Sequence, residues 1–115
     1  MRKSVASIVN ETAAKHRLTV AQLLGPCRER KYVRPRQEAM YRVFTECPHI
    51  SYPDAGRRLG GRDHTTILHG VKRHSARIGV SYQEALTIRK GLMTPNAFAR
   101  MANQYAQALE AHRVQ

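Results

Sequence analysis

Residues 60–69 read GGRDHTTILH and lie between two segments of helical periodicity. The paired glycines predict a tight turn, because glycine adopts left-handed backbone conformations that other residues avoid. We therefore expect a short helix at 51–59, a turn at Gly60-Gly61, and a second helix from Arg62 to Arg77 with a polar start. The side chains of this second helix expected to face inward are Ile67, Leu68, Val71 and Ile78.

Two short helices joined by a glycine turn form a helix-turn-helix pattern. In that motif the second helix enters the major groove of DNA, and its first residues contact base edges. Its N-terminus also has unpaired N–H groups and a partial positive charge, which favour a phosphate. His64, Thr65 and Thr66 are short hydrogen-bonding residues at this end, and a threonine methyl suits a thymine methyl. Asp63 is either an N-cap or an acceptor for a cytosine amine, and both interpretations stay open.

The rest of the chain also shows helical periodicities, with no sustained alternation typical of strands. Residues 27–34 have no clean period and are expected to form a basic loop. The sequence therefore predicts an all-α fold, a helical bundle that contains the helix-turn-helix. The other predicted helices are residues 3–16, Thr19 to Leu24 before Gly25-Pro26, Pro35 to Pro48, Ser81 to about Lys90 with Glu84 in a capping box, and a last helix opened by Thr94-Pro95.

The charge balance indicates a polyanionic partner. Among 115 residues there are 20 Lys and Arg against 8 Asp and Glu, a formal net charge of +12. DNA, RNA and an anionic membrane surface all fit this excess. No apolar run approaches the ~20 residues of a membrane span. Because most cations lie in the first two-thirds, we expect a DNA-binding domain at 1–78 and a C-terminal helical extension at 79–115.

Other function classes find little support in the sequence. His64, His69 and His74 are five residues apart, a spacing that does not bring them to one helix face, so no metal site is expected. No nucleophile with a base and an orienting group is recognisable, so we expect neither an enzyme nor a cofactor. Cys27 and Cys47 lack CxxC spacing and fit a reduced, cytoplasmic protein, here expected to associate with the nucleoid.

The string SYPDAGRRLGGRDHTTILHGVKRH at 51–74 closely resembles the C-terminal DNA-binding domain of the bacterial replication initiator DnaA. The resemblance extends upstream through VRPRQEAMY at 33–41 and LTVAQLL at 18–24, and covers roughly residues 3–78. It implies a Trp-repressor-like helical fold and recognition of the asymmetric DnaA box. The sequence has no G-x-x-x-x-G-K-[ST] phosphate loop, so we expect a stand-alone DNA-binding domain without a nucleotide site.

The resemblance also implies roles for individual residues. It makes Arg28 a minor-groove arginine, and it makes Asp63 to Thr66 the end of the recognition helix that reads bases and backbone. Further cations are expected to neutralise phosphates without reading sequence. The complete predicted DNA-binding set is Arg28, Arg30, Lys31, Arg34, Arg36, Gln37, Arg62, Asp63, His64, Thr65, Thr66, His69, Lys72 and Arg73.

We therefore expect sequence-specific binding of double-stranded DNA at DnaA-box-like sites, which regulates replication initiation or transcription. The alternative is an accessory or phage-type interaction protein whose C-terminal helices dock a replication partner, with DNA binding as a tether. Residues 93–115 would then form a homodimer or partner surface. RNA binding is a third hypothesis. We favour packing of the last predicted helix back on the domain over a dimer seam. The apolar stripe of this helix is Phe98, Met101, Ala102, Tyr105 and Leu109.

Overall fold

The computed structural model describes residues 3–91, which form six helices and no strand. The all-α prediction is confirmed for this part of the chain. None of these helices is long and apolar enough to cross a membrane. The last predicted helix and its apolar stripe fall outside the described residues. The helices are α1 Val5–Lys15, α2 Val20–Leu24, α3 Arg30–Glu46, α4 Tyr52–Arg58, α5 His64–Arg77 and α6 Tyr82–Arg89.

Side-chain caps define several of the helix starts. Thr19 and Gln22 form a capping box at α2. The hydroxyl of Ser51 accepts a hydrogen bond from the amide of Asp54 at 3.3 Å, and Ser81 caps α6 in the same way. Each cap satisfies an N–H group that has no partner inside its helix. The predicted starts at these three positions are therefore confirmed.

The basic segment before Pro35 differs from the prediction. α3 begins at Arg30, so the expected loop at 27–34 is wrong from Arg30 onwards, and Pro35 is the sixth residue of the helix rather than part of its first turn. Proline inside a helix removes one backbone hydrogen bond, which packing must compensate. Pro35 is itself buried, and Val33 is half-buried. The helix thus starts early because of tertiary contacts that the local pattern does not show.

α3 is the central helix of the bundle. Its apolar face packs against all five other described helices, most extensively against α5. Two of the four residues expected to face inward from α5 are fully buried, Ile67 and Val71, whereas Leu68 and Ile78 are only half-buried. The apolar core residues that α3 contributes are Ala39, Met40, Tyr41, Val43 and Phe44.

Glycines allow two close approaches around α5. A Cβ atom on Gly70 would overlap the sulfur of Met40, so its absence lets α5 lie directly on α3. A Cβ atom on Gly56 would overlap the backbone carbonyl of Arg62, which lies just before α5. The turn between α4 and α5 contains Gly60 and Gly61 at φ +90° and +70°, as the sequence predicted.

A buried histidine lies in the same α3–α5 contact. His74 is 9% exposed, and its ring centroid is 5.1 Å from that of Tyr41. Burial lowers the pKa of His74 to about 4, and the nearby carboxylate of Glu38 opposes this shift only in part. The imidazole is therefore neutral in the folded protein at neutral pH.

α6 packs onto the domain through an arginine and two tyrosines. The Arg89 guanidinium lies 4.7 Å from the centroid of the Phe44 ring, and it donates to the carbonyls of Phe44 at 2.8 Å and Ile50 at 2.7 Å. The hydroxyls of Tyr52 and Tyr82 are 2.7 Å apart. α6 thus covers the end of α3 and the start of α4. The division of the chain at residue 78 stays a prediction.

We expect Gly56→Ala to destabilise the domain by about 2 kcal/mol, because the new methyl group meets the Arg62 carbonyl. Alanine normally stabilises a helix interior by about 1 kcal/mol relative to glycine, so the sign itself is diagnostic. Urea unfolding of the variant and the wild type measures the difference. Stabilisation by Gly56→Ala would contradict the close approach.

We expect the domain to lose stability as the pH falls from 6.5 towards 4. The folded-state pKa of His74 is below its unfolded value, so the neutral form stabilises the fold above pH 6.5, and protonation favours unfolding below it. At about 1.36 kcal/mol per pKa unit, the loss by pH 4.5 is about 2–3 kcal/mol. Urea unfolding at pH 7.5 and 4.5 measures it.

His74→Gln should lose most of this pH dependence, whereas His49→Gln, at an exposed position, should keep it. Equal pH dependence in both variants would rule out His74 as the source.

Candidate nucleic-acid interface

The helix-turn-helix is formed by α4, the glycine turn and α5. The amide of Arg62 donates to the carbonyl of Gly56 at 2.8 Å, which closes the turn. α5 begins at His64, two residues later than predicted, because Asp63 is its N-cap. One side of α5 is buried on α3, and the opposite side is exposed. The exposed predicted contact residues of this side are His64, Thr65, Thr66, His69, Lys72 and Arg73.

Asp63 organises the first turn of α5. One carboxylate oxygen accepts from the His64 amide at 2.8 Å, and the other accepts from the Thr65 hydroxyl at 2.9 Å. These two hydrogen bonds hold the pKa of the Asp63 carboxyl below its usual range. Asp63 is therefore an N-cap in this structure, and it fixes the directions of its two neighbours.

Two further polar residues on this face are not engaged within the protein. The side chains of Thr66 and His69 are exposed and make no hydrogen bond to any residue of the described chain. They lie three residues apart, so they are neighbours on the helix surface. Free donors and acceptors on an exposed helix face are what base-edge recognition requires.

The first two turns of α3 carry cations next to an open pocket. Arg30, Lys31 and Arg34 are exposed and line this pocket together with His16 and Pro35. Because α3 begins at Arg30, these cations project from a helix. Rigid placement on a helix lowers the entropy cost of ordering them on a ligand.

Arg77 is a basic residue that the sequence analysis missed. Its pKa is lowered by burial and by the charges of Arg34 and Arg73, so Arg77 is repelled by one arginine of α3 and one of α5. The guanidinium of Arg77 also donates to the side-chain oxygen of Gln37 at 2.7 Å. Its position four residues after Arg73 was the available signal, since that spacing places both on one face.

Two predicted contact residues have a different environment from the rest. Arg36 is 6% exposed and donates to the carbonyls of Leu23 at 2.7 Å and Cys27 at 3.1 Å. Arg62 is half-buried, and its guanidinium hydrogen bonds also end on backbone carbonyls. Neither guanidinium faces outward with the other cations. Arg28, by contrast, is exposed in the connection between α2 and α3.

The histidines and cysteines of residues 3–91 do not converge on one centre. His64 and His69 are exposed, whereas His74 is in the core. Residues 3–91 contain no group of three or more His, Cys, Asp or Glu side chains that could hold a metal ion. Cys27 is exposed, and the Cys47 thiol is buried and donates to the carbonyl of Lys3.

Comparison with known proteins gives a consistent set of relatives. The chain is 44% identical over 70 residues to the chromosomal replication initiator protein DnaA of Roseobacter denitrificans. These 70 residues are 61% of this chain and 15% of that protein. The DnaA of Thermomicrobium roseum is 47% identical over 64 residues, 56% of this chain and 14% of the relative. The DnaA of Caulobacter vibrioides is 44% identical over 75 residues, which are 65% of this chain and 15% of that relative.

These matches cover only about 15% of each relative's length, so they concern one domain of those proteins. The family model described as bacterial dnaA protein helix-turn-helix matches residues 5–73, which is more than half of the chain. That range runs from the start of α1 to Arg73 and includes α4, the glycine turn and the first ten residues of α5. The chain therefore belongs to the bacterial DnaA helix-turn-helix family of DNA-binding domains.

Proposed function

We propose that this domain binds double-stranded DNA at DnaA-box-like sequences and thereby regulates replication initiation or transcription. The observation that carries the proposal is the exposed polar face of α5, which the burial of its other face leaves free. Relatives named as chromosomal replication initiators support the role in replication. The predicted partner or dimer surface at 93–115 lies outside the described residues, and localisation in the cytoplasm stays a prediction.

In the proposed complex the first two turns of α5 lie in the major groove. Thr66 and His69 have free polar atoms, and His64 is 59% exposed beside its cap. These side chains can form hydrogen bonds with base edges, and the threonine methyls can contact thymine. The Asp63 carboxylate is held by its own helix, so its contribution is to orient the groups that read the bases.

The surrounding cations are proposed to contact phosphates on either side of that groove. The cluster of Arg34, Arg73 and Arg77 has an electrostatic reason to bind an anion, because a phosphate between like charges relieves their repulsion. Arg30 and Lys31 extend the same surface along α3. Arg28, exposed before α3, is proposed to enter the adjacent minor groove, whose negative potential attracts arginine.

Binding to a DnaA-box duplex and to a duplex of scrambled sequence tests this function. With about six phosphate contacts, we expect the logarithm of affinity to fall with the logarithm of salt concentration at a slope near −5. We also expect the box to bind at least about 10³-fold more tightly than the scrambled duplex. Equal affinity for both duplexes, or a flat salt response, would contradict the proposal.

Single substitutions should separate base reading from phosphate binding. We expect Thr66→Ala and His64→Ala to cost about 1–3 kcal/mol on the box and little on the scrambled duplex. Arg77→Gln should weaken both duplexes similarly and reduce the salt slope by about 1. Fluorescence anisotropy at several salt concentrations measures all of these effects.

The three altered side chains are exposed, so circular dichroism should show an unchanged fold for each variant. A uniform loss on both duplexes for Thr66→Ala and His64→Ala would remove their role in sequence reading.

A further inference from the structure

The backbone carbonyls at the C-terminal end of α2 require hydrogen-bond donors from outside the helix. α2 is only five residues long, and the last four carbonyls of a helix have no partner inside it. Gly25 follows in an extended conformation, so the chain does not close the helix with a left-handed cap. The connection from Gly25 to Glu29 then leads directly into α3 and carries the exposed Arg28.

Two arginine side chains from distant parts of the sequence supply those donors. Arg62 donates from Nη1 to the Leu24 carbonyl at 3.0 Å and from Nη2 to the Gly25 carbonyl at 2.6 Å. Arg36 donates to the carbonyls on either side of this pair, those of Leu23 and Cys27. Four carbonyls of the segment 23–27 are therefore held by two guanidinium groups.

The same Arg62 side chain also binds the helix-turn-helix itself. Its Nη1 atom donates to the Leu59 carbonyl at 2.7 Å, at the end of α4. Arg62 thus forms a bridge of three hydrogen bonds between the end of α2 and the turn that precedes α5. Through this bridge the backbone before Arg28 is held in a fixed position relative to the start of α5.

The arrangement is electrostatically costly. Within residues 3–91 neither guanidinium forms an ion pair, and the charge of Arg62 disfavours the charge of Arg36. Burial of the two guanidinium groups carries a desolvation cost, which their hydrogen bonds to backbone carbonyls offset. Leu24 and Gly25 offer only backbone oxygens, and a planar guanidinium is well suited to bridge several of them.

We propose that Arg62 is a positioning residue rather than a DNA contact. It holds the Arg28 segment, the connection from Gly25 to Glu29, at a fixed distance from α5. Contacts with two neighbouring grooves of the DNA can then form together. This inference rests on the proposed function for its DNA-binding consequence. Its structural part, that Arg62 immobilises the segment, concerns the free protein alone.

Arg62→Lys is the informative substitution, because lysine keeps the charge but cannot bridge three carbonyls in the fork geometry. A phosphate contact would largely survive it, whereas a positioning role would not. Arg57→Lys is the matched control, since Arg57 is 72% exposed on α4 and makes only a surface contact to Asp54.

The structural part is tested on the free protein by ¹⁵N relaxation. In the wild type and in Arg57→Lys, we expect the Cys27 and Arg28 amides to have order parameters close to those of the helices. In Arg62→Lys these values should fall while the values in α3 and α5 stay unchanged. Unchanged order at Cys27 and Arg28 would overturn the positioning role, whatever the DNA-binding result.

The binding part is tested by a double-mutant cycle on the box duplex. If Arg62 acts through the segment, Arg28→Ala should cost about tenfold in affinity in the wild-type background and little in the Arg62→Lys background. In the Arg57→Lys background it should again cost about tenfold. Equal losses in all backgrounds, or no loss on Arg28→Ala in the wild type, would overturn the inference.

Failure of the proposed function has a different outcome. In that case the wild-type protein does not prefer the box, and the relaxation measurement still decides whether Arg62 holds the segment.

Discussion

The burial of one side of α5 against α3 is the contact on which the rest of the structure depends. Gly70 lets the two helices approach until Met40 touches the backbone, and His74 lies against Tyr41 in the same interface. With this side fixed, the threonines and His69 on the opposite side must face outward. A polar helix face that is held rigidly from behind is the geometry that major-groove recognition needs, because the cost of ordering it is met during folding.

The arginines and lysines of the domain lie in two different environments. The exposed cations of α3 and of the second half of α5 lie beside the exposed polar side of α5, and their positive charge favours a polyanionic partner. Arg36, Arg62 and Arg89 differ from these cations, because their guanidinium groups donate to backbone carbonyls within the fold. Only the positions of the guanidinium groups in the fold distinguish the arginines that hold backbone carbonyls from those that remain exposed.

Features encoded by neighbouring residues could be predicted from the sequence. The caps at Ser51 and Ser81 and the glycine turn depend on a few adjacent residues, and they lie where expected. The start of α3 could not be predicted, because proline usually marks the first turn of a helix, whereas Pro35 is buried as the sixth residue of α3. The inward position of Arg36 could not be predicted either, because the carbonyls that accept its hydrogen bonds lie 9 and 13 residues away in sequence.

The proposed function requires that α5 is the element that contacts DNA, and NMR mapping tests this most directly. Titration of the ¹⁵N-labelled protein with a DnaA-box duplex should shift the amides of residues 63–73 and 28–37 most strongly. The amides on the exposed side of α1 and in α6 should change little. The largest shifts in α1 or α6, with α5 unaffected, would contradict the account.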